Sequence, residues 1–268
     1  MERNLEKIKE RMKSVKAFVL DMDGTIYLGQ DLFPYTIPFL ETVKETGREY
    51  YFFTNNSSKS LDNYINKLGN MGIHITENQM MISTHVILLY LEHHHKGESV
   101  YVVGTPALVE EFKKYGWAID DENPDIVILG FDTTLTYEKL SKACQFIRDG
   151  KTYYGINPDL NCPMEGGKFI PDCGSMAKLV EASTGHYPEF FGKPSPRTLE
   201  YVVEKTGLKP EQIAIIGDRL YTDIAVANNS PVTSILVMSG ETQEEDIEKS
   251  DTKPDVIVEN IGVLKELL

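Results

Sequence analysis

At 268 residues the chain is long enough for one large domain or two modest ones, and 41% hydrophobic with 25% charged residues is ordinary globular composition. A formal net charge of −14 argues against a nucleic-acid partner, which calls for a basic face. The start, Met1-Glu2-Arg3-Asn4-Leu5-Glu6-Lys7, lacks a signal-peptide apolar stretch, and no run approaches the roughly 20 apolar residues of a membrane span. Three scattered cysteines (Cys144, Cys162, Cys173) form neither a disulfide framework nor a CxxC pair. The expectation is a cytoplasmic protein with no membrane partner.

Short β-rich runs alternate with helix-period segments, the pattern of an α/β fold with parallel strands. Residues 1–14 read as a charged helix, followed by a strand over 16–21. That strand runs into Asp21-Met22-Asp23-Gly24-Thr25, two carboxylates at a spacing of two on one side of a strand end. They repel unless a cation lies between them, so the segment is read as a Mg²⁺ site with a carboxylate nucleophile or as an Asp-rich turn. An EF-hand is excluded by spacing, since the twelfth position from Asp21 is Leu32. A helix over 36–46 and a strand over 49–54 come next, ending in Thr54-Asn55-Asn56-Ser57-Ser58, either phosphate-binding donors or a helix N-cap.

Helical patterns then fall at 60–71, 84–95, 106–115, 137–148, 174–184, 196–206 and 222–229. Strands are expected at 99–103, 125–131, 151–156, 189–192, 212–217, 233–238 and 255–259. Gly47, Gly72, Gly116, Gly150, Gly185 and Gly207 sit where helix stops belong. Lys193, within Phe191-Gly192-Lys193-Pro194, is stiffened on both sides, which is unusual for a surface charge. The 212–217 strand ends in Gly217-Asp218-Arg219. Asp223 follows, either as a further metal carboxylate or as a helix cap.

Asp21-x-Asp23-Gly-Thr, strand-end Thr54, Lys193 and Gly217-Asp218, in that order, resemble the four motifs of the haloacid-dehalogenase superfamily of phosphatases. The resemblance implies a Mg²⁺-dependent phosphatase that works through an aspartyl-phosphate. Asp21 would attack phosphorus, while Asp23 would protonate the leaving oxygen and then activate water. Asp21, the Asp23 backbone carbonyl and Asp218 would hold Mg²⁺, with Asp223 in support. Thr54 and the Asn55 amide would bind phosphoryl oxygens, and Lys193 would steady the nucleophile and the transferring group. The fold implied is a doubly wound, Rossmann-like parallel-sheet core.

The 33 positions from Asp21 to Thr54 leave no room for an inserted domain, whereas the 139 from Thr54 to Lys193 exceed what a βα unit needs. The expectation is a discontinuous core (1–81 and 186–268) with an inserted α/β cap of C2 type at 82–185. That placement is similar to the type IIA subgroup, the NagD-like nucleotide phosphatases and p-nitrophenyl phosphatases. Phe52-Phe53-Thr54-Asn55-Asn56-Ser57 and Gly217-Asp218-Arg219-Leu220-Tyr221-Thr222-Asp223 add to it. Within the cap, Pro171-Asp172-Cys173-Gly174-Ser175 resembles the subgroup's specificity loop, with Asn157-Pro158-Asp159 beside it.

The substrate class implied is a small phosphomonoester: a sugar phosphate, a nucleoside monophosphate, phosphoglycolate or pyridoxal phosphate, with p-nitrophenyl phosphate as an artificial one. A phosphomutase usually carries its cap between the first two motifs, where this chain has no room. A hydrolytic dehalogenase normally lacks the second aspartate. A phosphate sensor or scaffold predicts loss of a catalytic group, yet all four motifs are intact. His93-His94-His95 reads as a solvated helix end, and 241–251 as a solvated surface helix. An oligomer is possible and not readable from these patterns.

Overall fold

The computed structural model describes residues 2–164 and 167–268; Met1, the first residue of the expected 1–14 helix, lies outside them. Early in the chain come β1 (Ala17–Leu20), β2 (Tyr27–Leu28), β3 (Asp31–Leu32), β4 (Glu49–Thr54) and β5 (Met80–Ile82). The middle carries β6 (Ser99–Val103), β7 (Ala118–Ile119), β8 (Ile126–Leu129), β9 (Thr152–Gly155), β10 (Asn161–Met164), β11 (Lys168–Pro171) and β12 (Glu189–Phe190). The last strands are β13 (Ile213–Gly217), β14 (Thr233–Val237) and β15 (Val256–Val258).

These strands build two main sheets, in the orders β15-β14-β13-β1-β4-β5 and β12-β9-β8-β6-β7. In the first, β1 pairs in parallel with both β13 and β4, and β14 continues in parallel to β13 and β15. The second is parallel at every junction. The fold is therefore a Rossmann-like parallel core sheet together with a second, smaller α/β sheet. β1, β13 and β14 are buried along their whole length, as strands covered on both faces must be. Phe18 of β1 packs edge-on against Phe39 at 5.8 Å, with both side chains fully buried. Burial of such a ring contributes about 1.5–3 kcal/mol.

By contacts, one compact unit holds the residues up to Thr54, Ile65–Met81 and Leu199–Leu268; the other holds Asn55–Tyr64 and Ile82–Thr198. The second is wider than the expected 82–185 insertion. β12, expected to belong with the core, bonds to β9 and so joins the second sheet. Asn55 joins the same unit, its carbonyl accepting the Ser83 hydroxyl at 2.7 Å and its side chain bonding Asp159 and Lys193.

Most expected elements form within a residue or two, including the helices Tyr137–Arg148 and Pro196–Thr206 at their predicted bounds. All six glycines expected to stop helices adopt positive φ. Gly185, at 78°, closes its helix by donating to the Glu181 carbonyl at 2.7 Å. The 222–229 helix is replaced by a wide π turn at Leu220–Ile224 and a 3₁₀ turn at Ala225–Ala227. Its cause is local: the Arg219 N–H bonds the Asp223 carboxylate at 3.1 Å, and Ile224 N–H reaches back to the Arg219 carbonyl. The wide turn returns Asp223 to the strand end, a use typical of π bulges. The antiparallel hairpins β2–β3 and β10–β11 were not foreseen, being too short, or interrupted by Pro163, to show a period.

Candidate active site

In the first sheet the chain leaves β1 in one direction, to β4 and β5, and returns on the other side as β13, β14 and β15. The strand order therefore reverses between β1 and β13, and in open α/β sheets ligands bind at the carboxyl ends on either side of such a point. Asp21 follows the last residue of β1 and donates its N–H to the Ile216 carbonyl of β13 at 2.8 Å. Asp218 follows the last residue of β13. Thr54 ends β4, the other neighbour of β1, two residues past the Leu20–Phe52 pair. Register thus places three of the expected residues at one edge of the sheet.

There Asp21, Asp218 and Asp223 offer carboxylate oxygens that all lie within 4.8 Å of one another. Asp218 and Asp223 are buried, and the Asp218 Oδ1 has no hydrogen-bond partner among the described residues. Burial, reinforced by the charges of Asp21 and Asp223, pushes the Asp218 carboxyl up to about 8. The neighbouring Thr25 hydroxyl is also buried, with no hydrogen-bond partner among the described residues. An all-oxygen donor set, excess negative charge and an orphaned carboxylate oxygen together suit a hard divalent cation such as Mg²⁺. Burial opposes the Arg219 charge, but the carboxylates of Asp218 and Asp21 outweigh it and hold the guanidinium protonated.

The Asp21–Asp23 turn is held by its own backbone: Gly24 N–H donates to the Tyr27 carbonyl at 2.8 Å, and Ile26 N–H to that of Met22 at 3.0 Å. Gly24 sits at φ 85°, where a side chain would be strained, and a Cβ there would lie 2.5 Å from the Asp218 Oδ2.

A second clasp went unforeseen. After β14, Glu241 N–H donates to Asp218 Oδ2 at 2.7 Å, and the Thr242 hydroxyl to the Asp218 carbonyl at 2.5 Å. The Ser239 hydroxyl donates to the Gly24 carbonyl at 2.7 Å, tying the same loop to the first motif. The Glu241 carboxylate bridges Arg219 Nε at 2.9 Å and the Tyr221 hydroxyl at 2.7 Å. The signal available in sequence was a Ser-Gly-Glu-Thr strand end, one strand away from the recognised motif.

Two sequence alternatives are decided by geometry. Lys193 is 3% exposed, so it is not a solvated turn lysine. The helix Leu61–Asn70 is capped by Ser60, through reciprocal bonds with Asn63, and not by the Thr54–Ser58 cluster. Within the second unit Asn55 and Lys193 come together: Lys193 N–H donates to Asn55 Oδ1 at 2.9 Å, and Asn55 Nδ2 to the Lys193 carbonyl at 2.8 Å. Both ends of the Asn55 side-chain amide are thereby committed to the Lys193 backbone.

The residues expected to form a specificity loop serve the start of the helix Cys173–Thr184. Asp172 Oδ1 accepts the Cys173 N–H at 2.6 Å, and Gly174 N–H donates to the Asp159 carbonyl at 2.8 Å. Ser175 Oγ donates to the Leu160 carbonyl at 2.5 Å. Cys173 is fully buried, and burial raises its thiol well above the ordinary range, so it is not a nucleophile. At the helix end near 93–95, His95 is engaged by Glu98 and by the Tyr154 hydroxyl, both at 3.0 Å.

Two family models match the chain: haloacid dehalogenase-like hydrolase over residues 18–118 and HAD-hydrolase-like over 190–264. An acid sugar phosphatase of Staphylococcus aureus is 34% identical over 244 residues, which are 91% of this chain and 94% of that one. The structure of a 4-nitrophenylphosphatase from Thermotoga maritima superposes with a TM-score of 0.92 at 44% identity, covering 96% of this chain and 98% of the other. A putative nagD protein gives 0.86 at 44% identity, over 95% and 98%. The chain belongs to the haloacid dehalogenase-like hydrolases, in their NagD-like and p-nitrophenyl phosphatase family.

Proposed function

We propose that the protein is a Mg²⁺-dependent, cytoplasmic phosphatase of small phosphomonoesters in which Asp21 is the nucleophile. The phosphatase class follows from its family, and the observation that carries the metal and nucleophile assignment is the carboxylate trio at the β1–β13 switch point. Asp21, the Asp23 carbonyl and Asp218 would hold the ion, with Asp223 in support. Bound there, Mg²⁺ would offset the negative charge of the transferring group. Phosphate-monoester hydrolysis is among the slowest uncatalysed reactions, so charge stabilisation and positioning must supply most of the acceleration.

The Asp21 carboxylate attacks phosphorus in line and needs no base to activate it. Asp23 gives its proton to the departing ester oxygen, then takes one from the water that opens the aspartyl-phosphate. The Thr54 hydroxyl and Asn55 N–H donate to phosphoryl oxygens, and the Lys193 ammonium offsets their charge. With a net charge of −14, such local cations are needed to hold an anionic substrate. Candidate substrates are sugar phosphates, in keeping with the name of the staphylococcal relative, and nucleoside monophosphates. The second unit, with its Asp172–Ser175 segment, is the substrate-selecting cap in this reading.

Phosphate release from a panel of phosphomonoesters, with Mg²⁺ and with a chelator, tests the proposal. Turnover that stops on chelation and returns with Mg²⁺ is expected. Undiminished turnover in chelator would overturn the metal assignment. Absence of release from every ester would favour a phosphate sensor.

A further inference from the structure

Behind Lys193, the second unit contains a chain of buried polar side chains that the four motifs do not include. Asn55, Asn157, Asp159 and Asp172 are each at most 8% exposed. Asn55 grips both the N–H and the carbonyl of Lys193, and its Nδ2 also donates to Asp159 Oδ2 at 2.8 Å. Asn157 Nδ2 donates to that same Asp159 oxygen at 2.9 Å and to Asp172 Oδ1 at 3.0 Å. On its other side Asn157 Oδ1 accepts the Ser57 hydroxyl at 3.2 Å. Close approach is secured by Gly192, where a Cβ would stand 2.7 Å from Asn55 Oδ1.

Each amide has one orientation that satisfies this network. If Asn55 were flipped, its oxygen would face the Lys193 carbonyl and the Asp159 carboxylate, and its NH₂ would face the Lys193 N–H. Acceptor would meet acceptor and donor would meet donor, all in a buried setting where such mismatches are costly. We propose that Asp159, oriented by Asn157, is a positioning residue for Lys193: it locks the Asn55 amide in the orientation that clamps the lysine backbone. A lysine stem has four rotatable bonds, so fixing its root limits where the ammonium can go. A misplacement of about 1 Å costs on the order of 10²-fold in rate.

The proposal rests on the phosphatase reading of Lys193, and a double-mutant cycle tests it. With p-nitrophenyl phosphate, Asp159→Ala is expected to lower kcat about 10- to 100-fold while leaving KM within about threefold. In a Lys193→Ala background the same substitution should change kcat less than about twofold, because its effect travels through the lysine. Should the Lys193→Ala enzyme be too slow to assay, the cycle is read in orthovanadate affinity by calorimetry with Mg²⁺ present. Should Asp159→Ala fail to fold, Asn55→Ala, which keeps the Asn55 N–H, carries the same cycle. Wild-type kcat in the single variant, or an equal loss in both backgrounds, overturns the proposal while the phosphatase reading stands. A wild type inert toward every phosphomonoester overturns both.

Discussion

Gly240→Ala is the sharpest test of how the carboxylate trio is held. A Cβ at this position would fall 2.0 Å from Asp218 Oδ2 and 2.5 Å from its Cγ, where ordinary contact begins at 3.4 Å. The shortfall at Oδ2 is about 1.4 Å, far more than close-packed atoms absorb. Asp218 has little freedom to retreat, being 2% exposed and tied to the Glu241 N–H at 2.7 Å. Either the carboxylate or the Ser239–Thr242 loop must therefore shift by about an ångström. Overpacking of this kind costs about 1–3 kcal/mol of stability. A 1 Å displacement of a catalytic group costs on the order of 10²-fold. The expected result is a fall of about 10²-fold in kcat/KM, with Mg²⁺ binding weakened in parallel, while urea unfolding still shows a folded protein. The assays are p-nitrophenyl phosphate hydrolysis across a Mg²⁺ series and calorimetric metal titration. Activity and Mg²⁺ affinity within about threefold of wild type would refute the claim that the glycine is needed for Asp218's place.

Asp21→Asn is expected to reduce turnover to background with an unchanged circular dichroism spectrum; full activity would dispose of Asp21 as nucleophile. Because the Asp218 carboxyl lies near 8 in the folded protein, against 3.8 ordinarily, the metal-free protein binds the extra proton between those values. The contribution of this one group to stability is therefore full below the ordinary value and is lost as the pH rises through about 8. Mg²⁺ must displace that proton, so its apparent affinity rises with pH by up to about tenfold per unit over this range. Calorimetry in two buffers of different ionisation heat should detect the released proton, and a null difference would count against the assignment. Gly174→Ala places a Cβ 2.1 Å from the Pro158 carbonyl oxygen, a backbone atom that cannot swing aside. A loss of about 3 kcal/mol is expected, read as a lowered urea midpoint; an unchanged midpoint would show that this loop can give way.

How much of the site could be read from sequence depended on the range of the interactions involved. Asp21, Thr54 and Asp218 each end a strong apolar strand, and strands of a parallel sheet deliver their carboxyl ends to one edge whatever the connections between them. Asp223 was ambiguous because its role depends on a turn of irregular winding, which no helical period reveals. The grip of Asn55 on Lys193 joins residues 138 apart in sequence, and no local pattern encodes it. Residues 55–64 joined the second unit through side-chain hydrogen bonds to distant residues such as Ser83, Asn157 and Lys193, and β12 through a two-residue pairing, none of which leaves a trace in composition.

Sequence by itself determined the alternation of buried strands and amphipathic helices, the helix-stopping glycines and the carboxylates at strand ends. These follow from residue types and spacings within a few positions of one another. The tertiary structure alone decided which strand ends became neighbours, which loop clasps Asp218, and that Lys193 is buried. Those outcomes arise from strand order and from contacts between distant segments, where close packing and the pairing of every buried polar group leave few arrangements open.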